Sequence, residues 1–252
     1  MTVAKRVEYP DVEYPDAVEP EVVFPPGDLY SNELPLETEL HLRQIILLLQ
    51  SLEWLWSERQ DFYAGGNLTI YYSPRQRKSE EFRGPDFFVV LDTERKTRKS
   101  WTVWEEDGKY PHVIVEFLSE STAKTDRGLK KKIYQDTFRT PDYFWFDPES
   151  LEFRGFHLVD GKYEDLQPDA QGWLWSQQLG LYLGIWEQKL RFFTAAGELV
   201  STPGEDALIE RQRAEQAQQQ AEQAQRQAEQ ERQLREELME KLRARGINLD
   251  DL

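Results

Sequence analysis

The chain has 252 residues, no cysteine and a formal net charge of −16, and 39% of its residues are hydrophobic. This length allows one main domain with a sizeable core and an appendage. The lack of cysteine excludes disulfides and thiolate metal sites, and the acidic balance argues against broad, non-specific binding to nucleic-acid phosphates. The longest apolar run, residues 45–49, is too short to cross a membrane, so we expect a cytoplasmic protein without membrane contact.

The N-terminal region predicts little regular structure before residue 36. Residues 1–30 carry prolines at positions 10, 15, 20, 25 and 26, which disfavour helices and sheet interiors, so we expect an extended, partly disordered arm. Apolar residues then recur at helical spacing and predict an amphipathic helix that ends near Arg59. These residues are Leu42, Ile45, Ile46, Leu49, Leu52 and Trp56. Residues 65–67 predict a glycine turn, and residues 68–72 a β-rich run.

The central segment predicts the main sheet. Residues 86–91 and 113–118 are apolar runs typical of strands buried on both faces. A helix begins at about residue 126 and continues towards Pro141, and residues 143–146 form another core strand. This order of elements predicts an α/β fold with a mixed sheet flanked by helices.

The C-terminal part divides into a β-rich extension and a helical tail. The turn signal Asp160-Gly161 separates two predicted strands, and further β segments follow up to residue 194. From residue 204 the chain is rich in Ala, Gln and Glu, with alanines at alternating spacings of three and four. We therefore expect an α/β domain with a β extension at residues 31–203 and a long helix at 204–252. A coiled coil and a solvated single helix are both compatible with this tail.

Two carboxylates in the central segment are the best candidates for chemistry. Asp86 opens the first apolar run, and Glu116 lies inside the second. Carboxylates among apolar strand residues are costly to bury unless a cation or hydrogen bonds compensate their charge. If the strands pair, both can converge on one divalent cation, with a backbone carbonyl near Phe117 as a further ligand. Oxygen ligands favour Mg²⁺ or Mn²⁺ over zinc.

Lys130 is the basic residue best placed to join this pair. Among the three lysines at 130–132, Lys130 alone shares the i, i+4 stripe of the predicted helix with Tyr134. An ammonium beside two carboxylates can orient an attacking water and stabilise a phosphoryl transition state. A structural ion pair between Lys130 and Glu116 or Asp126 is the alternative.

Several segments resemble, in order and spacing, the Uma2 family of restriction endonucleases within the PD-(D/E)XK nuclease superfamily. They are Pro85-Asp86, residues 115–119, Ser121-Thr122, Asp126, Lys130, Tyr134 and residues 143–148. The resemblance covers about residues 36–165 and implies a restriction-endonuclease-like core that hydrolyses phosphodiesters with a metal ion. It implies Asp86 and Glu116 as metal ligands. The superfamily's lysine two positions after the glutamate is Leu118 here, whereas Lys130 matches the lysine on the family's following helix.

The resemblance also points to the first helix, where the superfamily often has another acidic residue. Glu37 lies one turn before His41, which matches a histidine common in the family at this point, and Glu37 is a candidate for orienting water or binding a second ion. Complementation of the helix dipole by Glu37 is the alternative.

Two functions follow from these patterns. The first is a Mg²⁺- or Mn²⁺-dependent endonuclease acting on nucleic acid, with DNA favoured, in which Asp86, Glu116, Lys130 and Glu37 form the site. The second is a catalytically inactive nuclease-like fold that binds proteins through its helical tail. The tail is also a candidate homodimer interface. The basic cluster at residues 95–99 fits either a phosphate-binding track or a solvated loop.

Overall fold

The computed structural model describes residues 39–72, 82–118 and 126–245. The predicted arm at residues 1–30 and the candidate Glu37 lie outside the described residues. Within these three ranges, no helix is both long enough and apolar enough to pass through a bilayer.

The described part of the chain contains three longer helices, a 3₁₀ turn at Val103–Glu105 and twelve strands. The helices are α1 Glu39–Leu55, α2 at residues 126–138, and α3 Pro203–Ala244. The strands are β1 Phe62–Gly66, β2 Ile70–Tyr71, β3 Phe82–Arg83, β4 Phe87–Leu91, β5 Trp101–Thr102, β6 Val113–Phe117, β7 Asp142–Phe146, β8 Phe153–Val159, β9 Lys162–Asp165, β10 Leu174–Ser176, β11 Leu181–Trp186 and β12 Lys189–Phe193.

The main sheet has six strands in the order β1-β4-β6-β7-β8-β9. Strands β6 and β7 run parallel, and the other neighbours are antiparallel, so the predicted mixed sheet is confirmed. The predicted hairpin between β8 and β9 is also confirmed. Asp160 and Gly161 have φ values of 49° and 80°, the left-handed pair that a type I′ turn requires.

Strand β6 lies at the centre of the fold and is buried on both faces. Val113, Val115 and Phe117 belong to a hydrophobic cluster with residues of α1 and of strands β10 to β12. Ile114 and Leu118 belong to the opposite cluster, which includes aromatic residues of α2. The alternation predicted from the sequence therefore holds, and α2 covers the face on which Glu116 lies.

Helix α2 is wound more loosely than an α-helix at both ends. The segments Asp126–Lys130 and Tyr134–Phe138 are π-helical and flank a short α-helical stretch, Lys131–Ile133. The N–H of Arg139 donates to the carbonyl of Tyr134, five residues earlier. Such π turns are uncommon and occur frequently at functional sites.

The glycine turn predicted at residues 65–67 is wrong in part. Gly65 and Gly66 lie in β1 and pair with β4, and the left-handed backbone begins at Asn67, with φ of 49°. Close packing explains the glycine: a Cβ at Gly66 would lie 2.5 Å from Cγ2 of Ile45 on α1. Glycine is therefore needed there because the helix packs closely against the strand.

The predicted β extension forms a separate three-stranded sheet, β10-β11-β12. Gln44 of α1 joins this sheet to the core: its side chain donates to the carbonyl of Leu190 at 2.7 Å and accepts from the Leu190 N–H at 3.0 Å. The buried Asp142 of β7 adds a second link by accepting a hydrogen bond from the Ser176 hydroxyl at 2.6 Å.

The long C-terminal helix is confirmed, and its first turn is fixed to the core. Thr202 and Glu205 form a reciprocal capping box. Arg191 donates two hydrogen bonds to Glu205, at 2.8 and 2.7 Å, and these bonds lower the pKa of Glu205 to about 2. Trp54 of α1 donates to Asp206 at 2.5 Å. Beyond this turn, almost every residue of α3 is exposed.

Candidate active site

Asp86 and Glu116 face each other across two neighbouring antiparallel strands. Phe87 of β4 pairs with Val115 of β6, and continuing this register by one residue places Asp86 opposite Glu116. Directly opposed residues have Cβ atoms about 5 Å apart. The Glu116 side chain is fully buried, whereas that of Asp86 is 14% exposed. The register thus places Asp86 and Glu116 opposite each other where the paired strands end.

Asp86 receives two hydrogen bonds on one oxygen. The backbone N–H of Phe117 donates to Oδ2 at 2.7 Å, and Nε2 of His41 lies 3.0 Å from the same atom. An ionised carboxylate is an acceptor only, so the His41 Nε2 carries the hydrogen. Oδ1 of Asp86 has no hydrogen-bond partner within residues 39–72, 82–118 and 126–245. That atom is available to a ligand.

Glu116 is held by two side chains of helix α2. The Lys130 ammonium lies 2.9 Å from Oε2, and the Tyr134 hydroxyl donates to Oε1 at 2.5 Å. Lys130 and Tyr134 are four residues apart and therefore lie on one face of the helix. Burial raises the pKa of Tyr134 well above its usual value, and the Glu116 charge raises it further. Tyr134 thus remains a protonated donor at neutral pH.

The structure brings together three of the four residues selected from the sequence. Lys130 contacts Glu116, as its predicted inward direction requires, and Asp86 bonds the backbone N–H of Phe117, the residue after Glu116. Glu37 lies outside the described residues. His41 and Tyr134 complete the cluster; neither was chosen as a site residue, although the family resemblance included both. The i, i+4 spacing from Lys130 was a second signal for Tyr134, whereas the contact of His41 with Asp86 spans 45 residues and has no local signal.

The oxygen atoms of this cluster fit a hard divalent cation. Asp86 Oδ1 is open, and Glu116 contributes a carboxylate whose Oε2 lies beside Lys130 and whose Oε1 lies beside Tyr134. Magnesium is commonly bound by one or two carboxylates together with several waters. In the part of the chain that the structure describes, no group of three or more His, Asp or Glu side chains forms a metal cluster. A metal at this position would therefore rely on Asp86 and Glu116.

Leu118 lies two positions after Glu116, where the PD-(D/E)XK superfamily, which this chain resembles, has a lysine. Its side chain belongs to the α2-facing hydrophobic cluster and is 3% exposed. An aliphatic side chain cannot polarise water or stabilise an anion. The amine next to Glu116 comes instead from Lys130 on the helix.

The basic cluster at residues 95–99 has internal partners. Arg95 donates to the backbone carbonyls of Trp56 and Arg59, both at 3.3 Å. Arg98 binds the carboxylate of Glu106 at 2.6 and 2.8 Å, with its side chain only 4% exposed. Both guanidinium groups are thus committed to local structure, which favours a structural role for this cluster over a phosphate-binding track.

A second His–Asp pair lies at the other end of the main sheet. His157 Nδ1 is 2.7 Å from Oδ1 of Asp142, whose Oδ2 accepts from the Ser176 hydroxyl and the Gln178 N–H. A nucleophilic serine would have to bond the imidazole, but Ser176 bonds the carboxylate and is fully buried. This cluster therefore links the two sheets and is not a catalytic triad.

Comparison with known proteins identifies the family of this chain. The family model Uma2, described as "Putative restriction endonuclease", matches residues 8–196, which is 189 of the 252 residues. The chain belongs to the Uma2 family. No curated protein matches this Uma2 chain. Among solved structures, it is similar to one described as "a putative nuclease belonging to DUF820" from Anabaena variabilis. The two are 13% identical with a TM-score of 0.43 over 57% of this chain and 76% of the other. Membership in Uma2 supports the prediction of a nuclease.

Proposed function

We propose that this Uma2 protein is a metal-dependent endonuclease that hydrolyses phosphodiester bonds of DNA. Two observations support the proposal best: Lys130 contacts Glu116, and the β4–β6 register places Asp86 opposite Glu116. Two acids with an adjacent ammonium suit phosphoryl transfer, in which negative charge must be bound and an attacking water oriented. Family membership supports the same class of reaction.

Asp86 and Glu116 would hold Mg²⁺ or Mn²⁺ through Asp86 Oδ1 and the Glu116 carboxylate. Such a cation, when bound, supplies positive charge at the phosphate and makes water a stronger nucleophile. The Lys130 ammonium binds a non-bridging phosphate oxygen and balances the charge that develops there. The Tyr134 hydroxyl keeps Glu116 oriented while Lys130 binds the phosphate. It can do so because the raised pKa of Tyr134 keeps the hydroxyl protonated.

Cleavage of supercoiled plasmid tests this function. Wild-type protein with Mg²⁺ or Mn²⁺ is expected to nick or linearise the plasmid, and EDTA abolishes cleavage. Asp86→Asn and Lys130→Met are expected to be inactive, whereas Lys96→Met, at an exposed ion pair outside the site, cleaves like wild type. Cleavage that survives Asp86→Asn, or that needs no metal, contradicts the proposal. Cleavage of RNA but not DNA would correct the substrate.

A catalytically inactive nuclease-like fold that binds proteins through α3 is the second candidate. The buried Leu118 favours it, because the superfamily lysine is missing from the strand. The contact between Lys130 and Glu116 favours an active site, because it returns an amine to the same carboxylate. Lack of plasmid cleavage together with loss of a bound protein on removal of α3 would support this second candidate.

We also propose that α3 pairs with α3 of a second copy, in antiparallel orientation. In the heptad frame of Ala214, Ala217, Ala221 and Ala224, the same seam contains Glu210, Glu231 and Arg235. A parallel, in-register pair would place each of these charges against its own copy, which is unfavourable. An antiparallel pair with Ala221 facing Ala224 places Glu210 opposite Arg235 instead.

Light scattering during size exclusion tests this pairing. The full chain is expected to be dimeric, and a chain ending at Arg211, which keeps the anchored first turn of α3, is expected to be monomeric. Arg235→Glu weakens the dimer, and adding Glu210→Lys restores it. An equally stable dimer without the tail excludes α3 as the interface, and lack of restoration by the double variant excludes this antiparallel register.

A further inference from the structure

We propose that His41 is a positioning residue, which holds Asp86 by Oδ2 and so leaves Oδ1 available to bind a metal ion. This inference rests on the proposed function, because it concerns how the protein prepares one of the two acids. His41 contacts neither the phosphate nor the reacting water in this scheme. It acts through Asp86.

The position of Asp86 in the chain explains why it needs such support. Asp86 precedes β4 and lies outside the ladder that fixes Phe87–Leu91. A side chain at a strand end can adopt several rotamers. Two donors that approach the same oxygen, the Phe117 N–H and the His41 Nε2–H, select one rotamer and leave the second oxygen open.

His41 is itself held firmly. Its side chain is 8% exposed, and its ring contacts Phe117 edge-on with 5.5 Å between centroids. Three residues further along α1, Gln44 makes two hydrogen bonds to the backbone of Leu190. The helix that carries His41 is thus tied to the small sheet, so the imidazole keeps its position. Supporting residues locked by packing in this way are typical of metal sites.

The pair of His157 and Asp142 is an example of a His–Asp pair with a purely structural role. Asp142 has both oxygens engaged, Oδ1 by His157 and Oδ2 by Ser176 and the Gln178 N–H. Asp86 instead concentrates its described hydrogen bonds on Oδ2. The first arrangement is closed, whereas the second leaves an oxygen for a ligand. This difference assigns a positioning role to His41 and a structural role to His157.

Calorimetric titration of the full chain with Mn²⁺ tests the inference. His41→Asn, whose shorter amide does not reach Asp86, is expected to bind Mn²⁺ about 10- to 100-fold more weakly than wild type, the usual cost of losing such a hydrogen bond. His41→Gln is expected to bind within about threefold, because its amide can replace the Nε2–H. His157→Asn is the matched control and is expected to leave the affinity unchanged. Circular dichroism and thermal unfolding verify that each variant is folded.

Three results contradict the inference, and one of them separates it from the proposed function. If Asp86→Ala abolishes Mn²⁺ binding but His41→Asn binds like wild type, the positioning role is wrong and the metal site stands. If His41→Gln loses as much affinity as His41→Asn, packing of the imidazole and not its hydrogen bond is what matters. If Asp86→Ala binds Mn²⁺ like wild type, the metal site and this inference both fail. Should His41→Asn not fold, His41→Leu, which keeps the contact with Phe117, replaces it with the same expected loss.

Discussion

Replacement of Lys130 by methionine is expected to destabilise the protein strongly as well as to abolish cleavage. The ammonium lies 2.9 Å from Glu116 Oε2, and the two side chains are 19% and 0% exposed. At this distance and an effective dielectric constant of about 20, the attraction is about 6 kcal/mol before desolvation is considered. Removing one partner of a buried pair leaves the other charge uncompensated and costs about 3–5 kcal/mol. We expect a decrease of that size in the free energy of unfolding at pH 7.

Urea denaturation followed by tryptophan fluorescence measures this change. The matched control is Lys96→Met, because Lys96 and Glu94 are a similar 3.0 Å apart but are 52% and 72% exposed. This variant is expected to unfold at the wild-type urea concentration, since exposed pairs contribute little. Mn²⁺ should recover part of the stability of Lys130→Met, because a cation beside Glu116 replaces the lost charge. A folded Lys130→Met that is as stable as the control would refute the importance of burial.

Three further predictions concern pH and packing. Because the folded protein raises the pKa of Tyr134 above 10, the contribution of Tyr134 to the free energy of unfolding is complete below pH 10. It is lost as the pH rises further, by about 1.4 kcal/mol per pH unit. Tyr134→Phe should therefore flatten the alkaline loss of stability in urea titrations. The lowered pKa of Glu205, about 2 beside Arg191, means that stability is lost as pH falls from about 4.5 towards 2. After discounting for the 39% exposure of Glu205, we expect the free energy of unfolding to fall by about 1–2 kcal/mol over this pH range. This acid-induced loss should be absent in Glu205→Gln. Gly66→Ala should cost about 1–3 kcal/mol by thermal unfolding, because its Cβ would clash with Ile45, and an unchanged melting temperature would contradict that contact.

The sequence predicted those parts of the site that depend on a regular period. Glu116 lies on the same face of β6 as Ile114 and Leu118 because strand residues alternate, and the structure keeps this alternation. Lys130 and Tyr134 share a helix face because they are four residues apart, and both contact Glu116. The π turns of α2 do not disturb this relation.

Contacts between distant segments could not be predicted in this way. The glycines at 65 and 66 signal a turn by composition, yet they lie in β1, where α1 packs closely against Gly66. The β-rich segment after residue 172 forms its own sheet, and Gln44 and the Asp142 cluster hold that sheet against the core. The hydrogen bond from His41 to Asp86 has the same origin. Packing between elements far apart in the chain decides all three, and no local pattern records it.

The division of the site between a sheet and a helix has a consequence for how activity would be lost on heating. Glu116 lies on β6 and Asp86 directly precedes β4, and these two strands are held by a ladder of backbone hydrogen bonds, whereas Lys130 belongs to a short helix with loosely wound ends. Segments with fewer cooperative contacts open at lower free energy than central strands do. Partial opening of α2 withdraws the amine while the two acids remain opposite each other. Hydrogen exchange at the amides of α2 would then report the fraction of competent molecules more directly than global melting does.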